Sequence, residues 1–142
     1  MFLTSHNEAS DRHAVLEDDG TSCWLYLTAA GQRTPERDCF VYSPIEPAEE
    51  LNTEAIREGA PPVLVRSAAS KESVIRDAVE ADFSFTWSSD GESVAVQRRG
   101  VPIAMIARGE NRGHSRALAV SGPHGEPWNR ALFEQTFGMP DD

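Results

Sequence analysis

The side chains of this chain best equipped for chemistry are four histidines, two cysteines and a run of carboxylates. His6, His13, His114 and His124 are scattered, with no His-x-His or His-x-x-x-His pair among them. No Cys-x-x-Cys joins them, so local spacing supports no zinc site. Cys23 and Cys39 each sit in an apolar, strand-like run, beside Trp24 and Phe40. That setting suits small buried core residues, and a bridge between paired strands is the other arrangement open to them. Glu17-Asp18-Asp19-Gly20 has the acidity of a calcium loop. It lacks the alternate-position oxygens and the distal glutamate of an EF-hand, so it reads as a solvated hairpin tip. Carboxylate pairs for glycoside hydrolysis are assembled in space, and nothing here singles out two acids. There is no Gly-x-Ser-x-Gly elbow and no phosphate loop with its Gly-Lys-Ser/Thr end. Gly109-Glu110-Asn111-Arg112-Gly113 suits a hairpin loop better than an anion cradle. The expectation is therefore no catalytic set, no cofactor and no metal.

Charge is more informative. The chain has 142 residues with 13 basic and 23 acidic side chains, a formal net charge of −10. Such a surface repels nucleic acid and anionic membranes and attracts a basic protein. It also serves solubility alone. The charge is uneven: residues 1–60 carry four basic and twelve acidic groups, a net of −8. Residues 93–121 carry Arg98, Arg99, Arg108, Arg112 and Arg116 against Glu110 alone, a net of +4. The arginines suit either a patch for an acidic partner or pairing with the acids of the N-terminal half, and the acidity of the chain favours pairing. The candidate partner-binding residues are Glu17, Asp18, Asp19, Glu46, Glu49, Glu50 and Glu54.

The elements that must position these residues are mostly hairpins. Residues 1–11 are polar and are expected to be loose. Residues 13–18 and 22–28 read as strands around an Asp-Gly turn, which supplies the positive φ of a tight hairpin. Residues 38–42 read as a third strand. Pro44, Pro47, Pro61 and Pro62 make 43–62 a long Pro-rich loop, with a short helix inside it over 48–58 facing Leu51, Ala55 and Ile56 inward. A short strand over 63–66 and a helix over 71–80 follow. Phe83-Ser84-Phe85-Thr86-Trp87 alternates strictly, and Asp90-Gly91 turns it back into 93–98. Strands over 101–107 and 114–120 continue the meander, and 128–137 reads as a closing helix. Trp24 and Trp87 suit the core, and Trp128 the docked start of that helix. The whole reads as one α+β domain, 1–142: an antiparallel β-meander sheet, curved, with one to three short helices. No signal peptide or membrane-length apolar run is present, so a cytoplasmic setting is expected.

Two segments stand out as patterns: His13-Ala14-Val15-Leu16-Glu17-Asp18-Asp19-Gly20 with Trp24-Leu25-Tyr26, and Trp87-Ser88-Ser89-Asp90-Gly91 through Val94-Ala95-Val96, Gly100 to Ala104, Arg108-Gly109 and Ser115-Arg116. Together they resemble a family of small bacterial proteins known only as a domain of unknown function. The resemblance covers most of the chain outside 44–80 and implies no activity. The reading placed first is a non-catalytic protein-binding domain, such as an immunity-type inhibitor of a basic bacterial toxin. Its alternatives are a homo-oligomeric subunit joined by an edge strand, or a small-molecule binder or enzyme with a site in the sheet's concave face under the 43–62 loop.

Overall fold

The computed structural model describes residues 1–50, 53–59 and 63–141. The first sheet is an antiparallel meander of β1 (Phe2–Asn7), β2 (Arg12–Asp18), β3 (Cys23–Thr28) and β4 (Pro35–Tyr42), in that spatial order. The second contains β5 (Phe83–Trp87), β6 (Val94–Arg98), β7 (Val101–Ile106), β8 (His114–Ser115) and β9 (Glu126–Pro127), also in chain order. Every pairing is antiparallel except β8 with β9, which is parallel. Among the described residues two α-helices join them, α1 (Thr53–Arg57) and α2 (Arg130–Phe137), with single 3-10 turns at Arg66–Ala68 and Glu80–Asp82. The fold is α+β with a C-terminal helix, but it uses two sheets where one curved sheet was expected.

Alternation explains how the sheets meet. Ala14 and Leu16 of β2, Leu25 and Leu27 of β3 and Val41 of β4 form one core with Phe83, Val94, Val96, Ala104 and Ile106 of the second sheet. Burying each large side chain of this set contributes about 1.5–3 kcal/mol before chain entropy is charged against it. These facing side chains make up the interior between the two sheets. The approach is closest where Gly113 meets β4: a Cβ at 113 would lie 2.3 Å from Cys39 Cβ and 3.0 Å from Cys39 Cα. Only glycine fits there. The outer face of the first sheet is covered in part, with Trp24 and Phe40 under Leu64, Ala117 and Leu118. On the outer face of the second, α2 sets Phe133 against Ala95 and Met105. Asn129 caps α2 through Leu132 N–H, and Gly138 ends it in the left-handed region.

Several expectations fail locally, for physical reasons. Residues 2–7 are not loose: β1 zips onto β2 from Phe2↔Glu17 to Asn7↔Arg12. No helix forms over 71–80; Ser43 and Val74 form a parallel bridge, and Ile75 and Ala78 pack on the core from irregular backbone. Residues 63–66 make a single bridge, Ala48↔Val65, rather than a strand. The 114–120 strand stops at Ser115, because Ser115 carbonyl accepts from Leu118 N–H and turns the chain. In the 43–62 loop, the helix expected over 48–58 spans Thr53–Arg57. Leu51 and the side chains of Ala55 and Ile56 lie outside the described residues. Among the described residues no helix is long and apolar enough to cross a membrane.

Candidate functional site

Three of the candidate acids, Glu17, Asp18 and Asp19, lie at one end of the first sheet, where β2 ends and β3 begins, and the others follow β4 in the chain. The β2–β3 turn is built by its own carboxylates. Asp18 Oδ1 accepts from Gly20 N–H at 2.8 Å, and Asp19 Oδ1 accepts from Thr21 N–H at 2.8 Å and Ser22 N–H at 3.0 Å. Gly20 takes the positive φ, +95°, that this geometry needs. Burial opposes ionisation of Asp19, but the hydrogen bonds from Thr21 and Ser22 outweigh it and hold the carboxyl below its usual range. Tyr42 hydroxyl donates to Asp18 Oδ2 at 2.6 Å, and the N-terminal amine donates to Asp18 carbonyl at 3.2 Å.

Ser43 joins this tip to the next acidic segment. Its hydroxyl donates to Ile45 carbonyl at 2.6 Å and reaches Thr21 carbonyl at 3.4 Å. Glu46 then pairs with Arg76, and Glu49 with Arg66 at 2.7 Å, all four side chains more than half exposed. Glu50 follows, exposed. Glu54 lies in the first turn of α1, also exposed, and no described contact joins it to the others. Glu17, Asp18 and Asp19 are thus contiguous at the β2–β3 turn, Ser43 ties that turn to the start of the 43–50 segment, and Glu46 and Glu49 on that segment are paired with Arg76 and Arg66, while Glu54 stands on α1. Asp18 and Asp19 spend much of their hydrogen-bonding capacity on the turn itself.

Two residues absent from the sequence-derived set belong to the same surface. The register aligns Val15, Tyr26 and Asp38 across three strands, in the row next to Glu17, Trp24 and Phe40. Burial raises the pKa of the Tyr26 phenol, and Glu17, Asp38 and Asp19 each raise it further. Three carboxylates from β2, the turn and β4 thus act on one half-buried tyrosine. The signal was present as outward positions of alternating strands, but it needed the pairing register to become visible.

The arginines behave differently. Arg98 lies 3.6 Å from Asp77, Arg99 3.1 Å from Asp82, and Arg108 3.3 Å from Asp90. Arg112 donates to Gly122 carbonyl at 2.8 Å. Arg116 grips Asp141 with one nitrogen at 2.7 and 2.8 Å and lies over the Trp128 ring, whose indole N–H also donates to Asp141. Pairing was the right expectation, but the partners belong to the C-terminal half and not to the acids of residues 1–60.

The other chemical groups are mostly occupied. His114 engages Pro127 carbonyl and Glu110 through its two ring nitrogens, each at 3.0 Å. His124 stacks on Trp24 in the wall of a shallow cleft beside Arg37 and Arg112. Both cysteines are free and buried; Cys39 sits opposite Leu25, not Cys23. Burial pushes the Cys39 thiol up to about 12 and raises Cys23 as well, so neither is a ready nucleophile. The exception is at the far end of the first sheet. His6 and His13 face each other across β1 and β2 with their rings stacked at 4.4 Å, and His6 Nε2 meets Asp11 Oδ1 at 2.8 Å. Their scatter in sequence concealed this pair, because residues 1–11 were expected to be loose. Desolvation, then Arg33 and His6, lower the His13 pKa against the pull of Asp11.

No family model matches the sequence, no curated protein matches it, and no solved structure matches the fold, so the functional reading rests on this chain's own residues.

Proposed function

We propose that the chain is a non-catalytic protein-binding domain whose acidic sheet end takes a basic protein. The observation that carries this is the outward face of the first sheet, where the register sets Asp38 directly opposite the half-buried Tyr26, with Glu17 in the next row and Asp19 in the adjoining turn. An arginine or lysine from a partner would gain the carboxylates and the ring face together. Tyrosine is also a residue that interfaces favour as an anchor. The local pairing of Arg98, Arg99, Arg108 and Arg116 supports the same reading, because those cations are not spent on the acids of the N-terminal half. An uneven negative surface steers a cationic partner and speeds its capture. An immunity-type inhibitor of a basic bacterial toxin, acting in the cytoplasm, is the role that uses these properties.

The test is capture from native lysate by the full chain at low and high salt, beside a variant carrying Glu17→Lys, Tyr26→Ala and Asp38→Lys. The reading expects a basic protein retained at low salt, weakened at high salt and lost by the variant. Equal capture by the variant, or no basic protein at low salt, contradicts it. A second reading, a homo-oligomer, is favoured by β1, which is an outermost strand of its sheet with Phe2 58% exposed. Light scattering over a concentration series separates the two: a rise to twice the chain mass supports the oligomer.

A further inference from the structure

We propose that His6, His13 and Asp11 form a binding site for one divalent transition-metal ion of the zinc class. Two imidazoles and one carboxylate present ligand atoms that all lie within 4.8 Å of one another. This is the ligand chemistry that zinc and its first-row neighbours take, and that calcium and magnesium do not favour. Around a four-coordinate ion the donors stand about 3.4 Å apart, given metal–nitrogen bonds of about 2.0–2.1 Å. His6 Nε2 and Asp11 Oδ1 are already inside that span at 2.8 Å. His13 is half-buried beside them with its ligand atom within 4.8 Å of theirs, so the ring has to turn to enter the span, and the His6 and Asp11 side chains, 40% and 64% exposed, leave room on the outward face.

The backbone beneath the group is held. The register sets His6 directly opposite His13. Asp11 occupies the left-handed region at φ 54°, which Asp tolerates better than most residues, and its carbonyl accepts from Gly31 N–H at 2.8 Å. Asn7 Oδ1 accepts from Ser10 N–H at 3.1 Å within the same turn. A Cβ at Gly91 would lie 2.3 Å from that oxygen, so the turn is pressed against the second sheet. Arg33 is the cation that acts on His13 and opposes a metal. The carboxylate of Asp11 offsets it. On binding, the ion takes the place of the hydrogen bond between His6 Nε2 and Asp11 Oδ1, and His6 coordinates through Nε2 as the tautomer that carries its proton on Nδ1. Three protein ligands leave a fourth position for water or for a donor from another molecule. The site lies at the opposite end of the sheet from the acidic group and does not depend on the binding role argued for that end.

The experiment is calorimetric titration of the full chain with Zn2+ in a non-chelating buffer, with Co2+ absorption as a second readout. The expected result is one ion per chain and a visible Co2+ spectrum of four-coordinate type. His6→Ala and His13→Ala should each weaken binding by about tenfold or more, the scale of a damaged metal site. The double variant should lose the Co2+ spectrum while its far-UV circular dichroism stays that of the parent, since both rings face solvent. Absence of binding to the parent chain overturns the proposal. So does undiminished Zn2+ binding by the folded double variant, or displacement of Zn2+ by millimolar Mg2+, either of which assigns the ion to the acidic surface.

Discussion

The two sheets of this protein treat charge in opposite ways. In the second sheet and its surroundings, cations meet anions of the same half of the chain: Arg99 meets Asp82, Arg108 meets Asp90, and Arg116 is clamped by the buried Asp141. On the outward face of the first sheet, Asp38 stands opposite Tyr26, Glu17 lies in the next row, and Asp19 sits in the adjoining turn. The N-terminal amine reaches the Asp18 carbonyl there, while Arg66 and Arg76 sit on the 66–76 segment and pair with Glu49 and Glu46 in solvent. The region of the second sheet has settled one charge in the buried Asp141 clamp, and that of the first sheet leaves Glu17 and Asp38 in no ion pair among the described residues. Net charge alone does not distinguish these arrangements; the partner of each side chain does.

The largest effect should come from breaking the settled side. Asp141→Ala removes a buried carboxylate that serves both Arg116 and the Trp128 indole, and it should cost about 3 kcal/mol in urea unfolding. Next is Arg12, the bridge between the sheets. Its side chain is 15% exposed, donates to Glu92 at 3.0 and 3.3 Å, and donates to Thr28 carbonyl at 2.8 Å. Arg12→Ala should cost about 2 kcal/mol by the same measurement. Acid should act on both sides through Asp19 and Asp90. Hydrogen bonds from Thr21 and Ser22 outweigh burial at Asp19, and those from Ser88 and Glu92 lower Asp90. A lowered folded pKa stabilises above the unfolded value of about 3.9, and that stability is lost as pH falls through the folded value. Melting temperature should therefore decline from about pH 4 downward. The smallest effect should come from the outward-facing acids: Glu17→Gln with Glu50→Gln should change stability by less than about 0.5 kcal/mol. A large loss from that pair would place those carboxylates in the architecture and not at an interface.

Much of this was legible in the sequence, and the limits have physical causes. Asp-Gly turns and strict alternation marked β2, β3, β5 and β6, because those signals are local. β1 was missed because its polar residues satisfy a sheet edge, where one face meets solvent and the other meets Trp87 through Ser5. With β1 went the His6–His13 pair, which exists only through strand register. The 71–80 helix failed because its apolar residues are drawn to the core from a chain already tied at Ser43, and tertiary contacts override a weak helical pattern. The acidic set was found by composition. Its organising residue, Tyr26, was not, because nothing in sequence sets Asp38 beside it.

The most direct test of the outward-facing end is a titration of the isotopically labelled full chain with an oligo-arginine peptide, followed by amide chemical shifts. The account predicts that shifts at low salt cluster at residues 17–20, 26, 38 and 43–50, and that Tyr26→Ala with Asp38→Asn weakens them. Shifts spread evenly over the surface, or concentrated on the second sheet around residues 77–99, would contradict it.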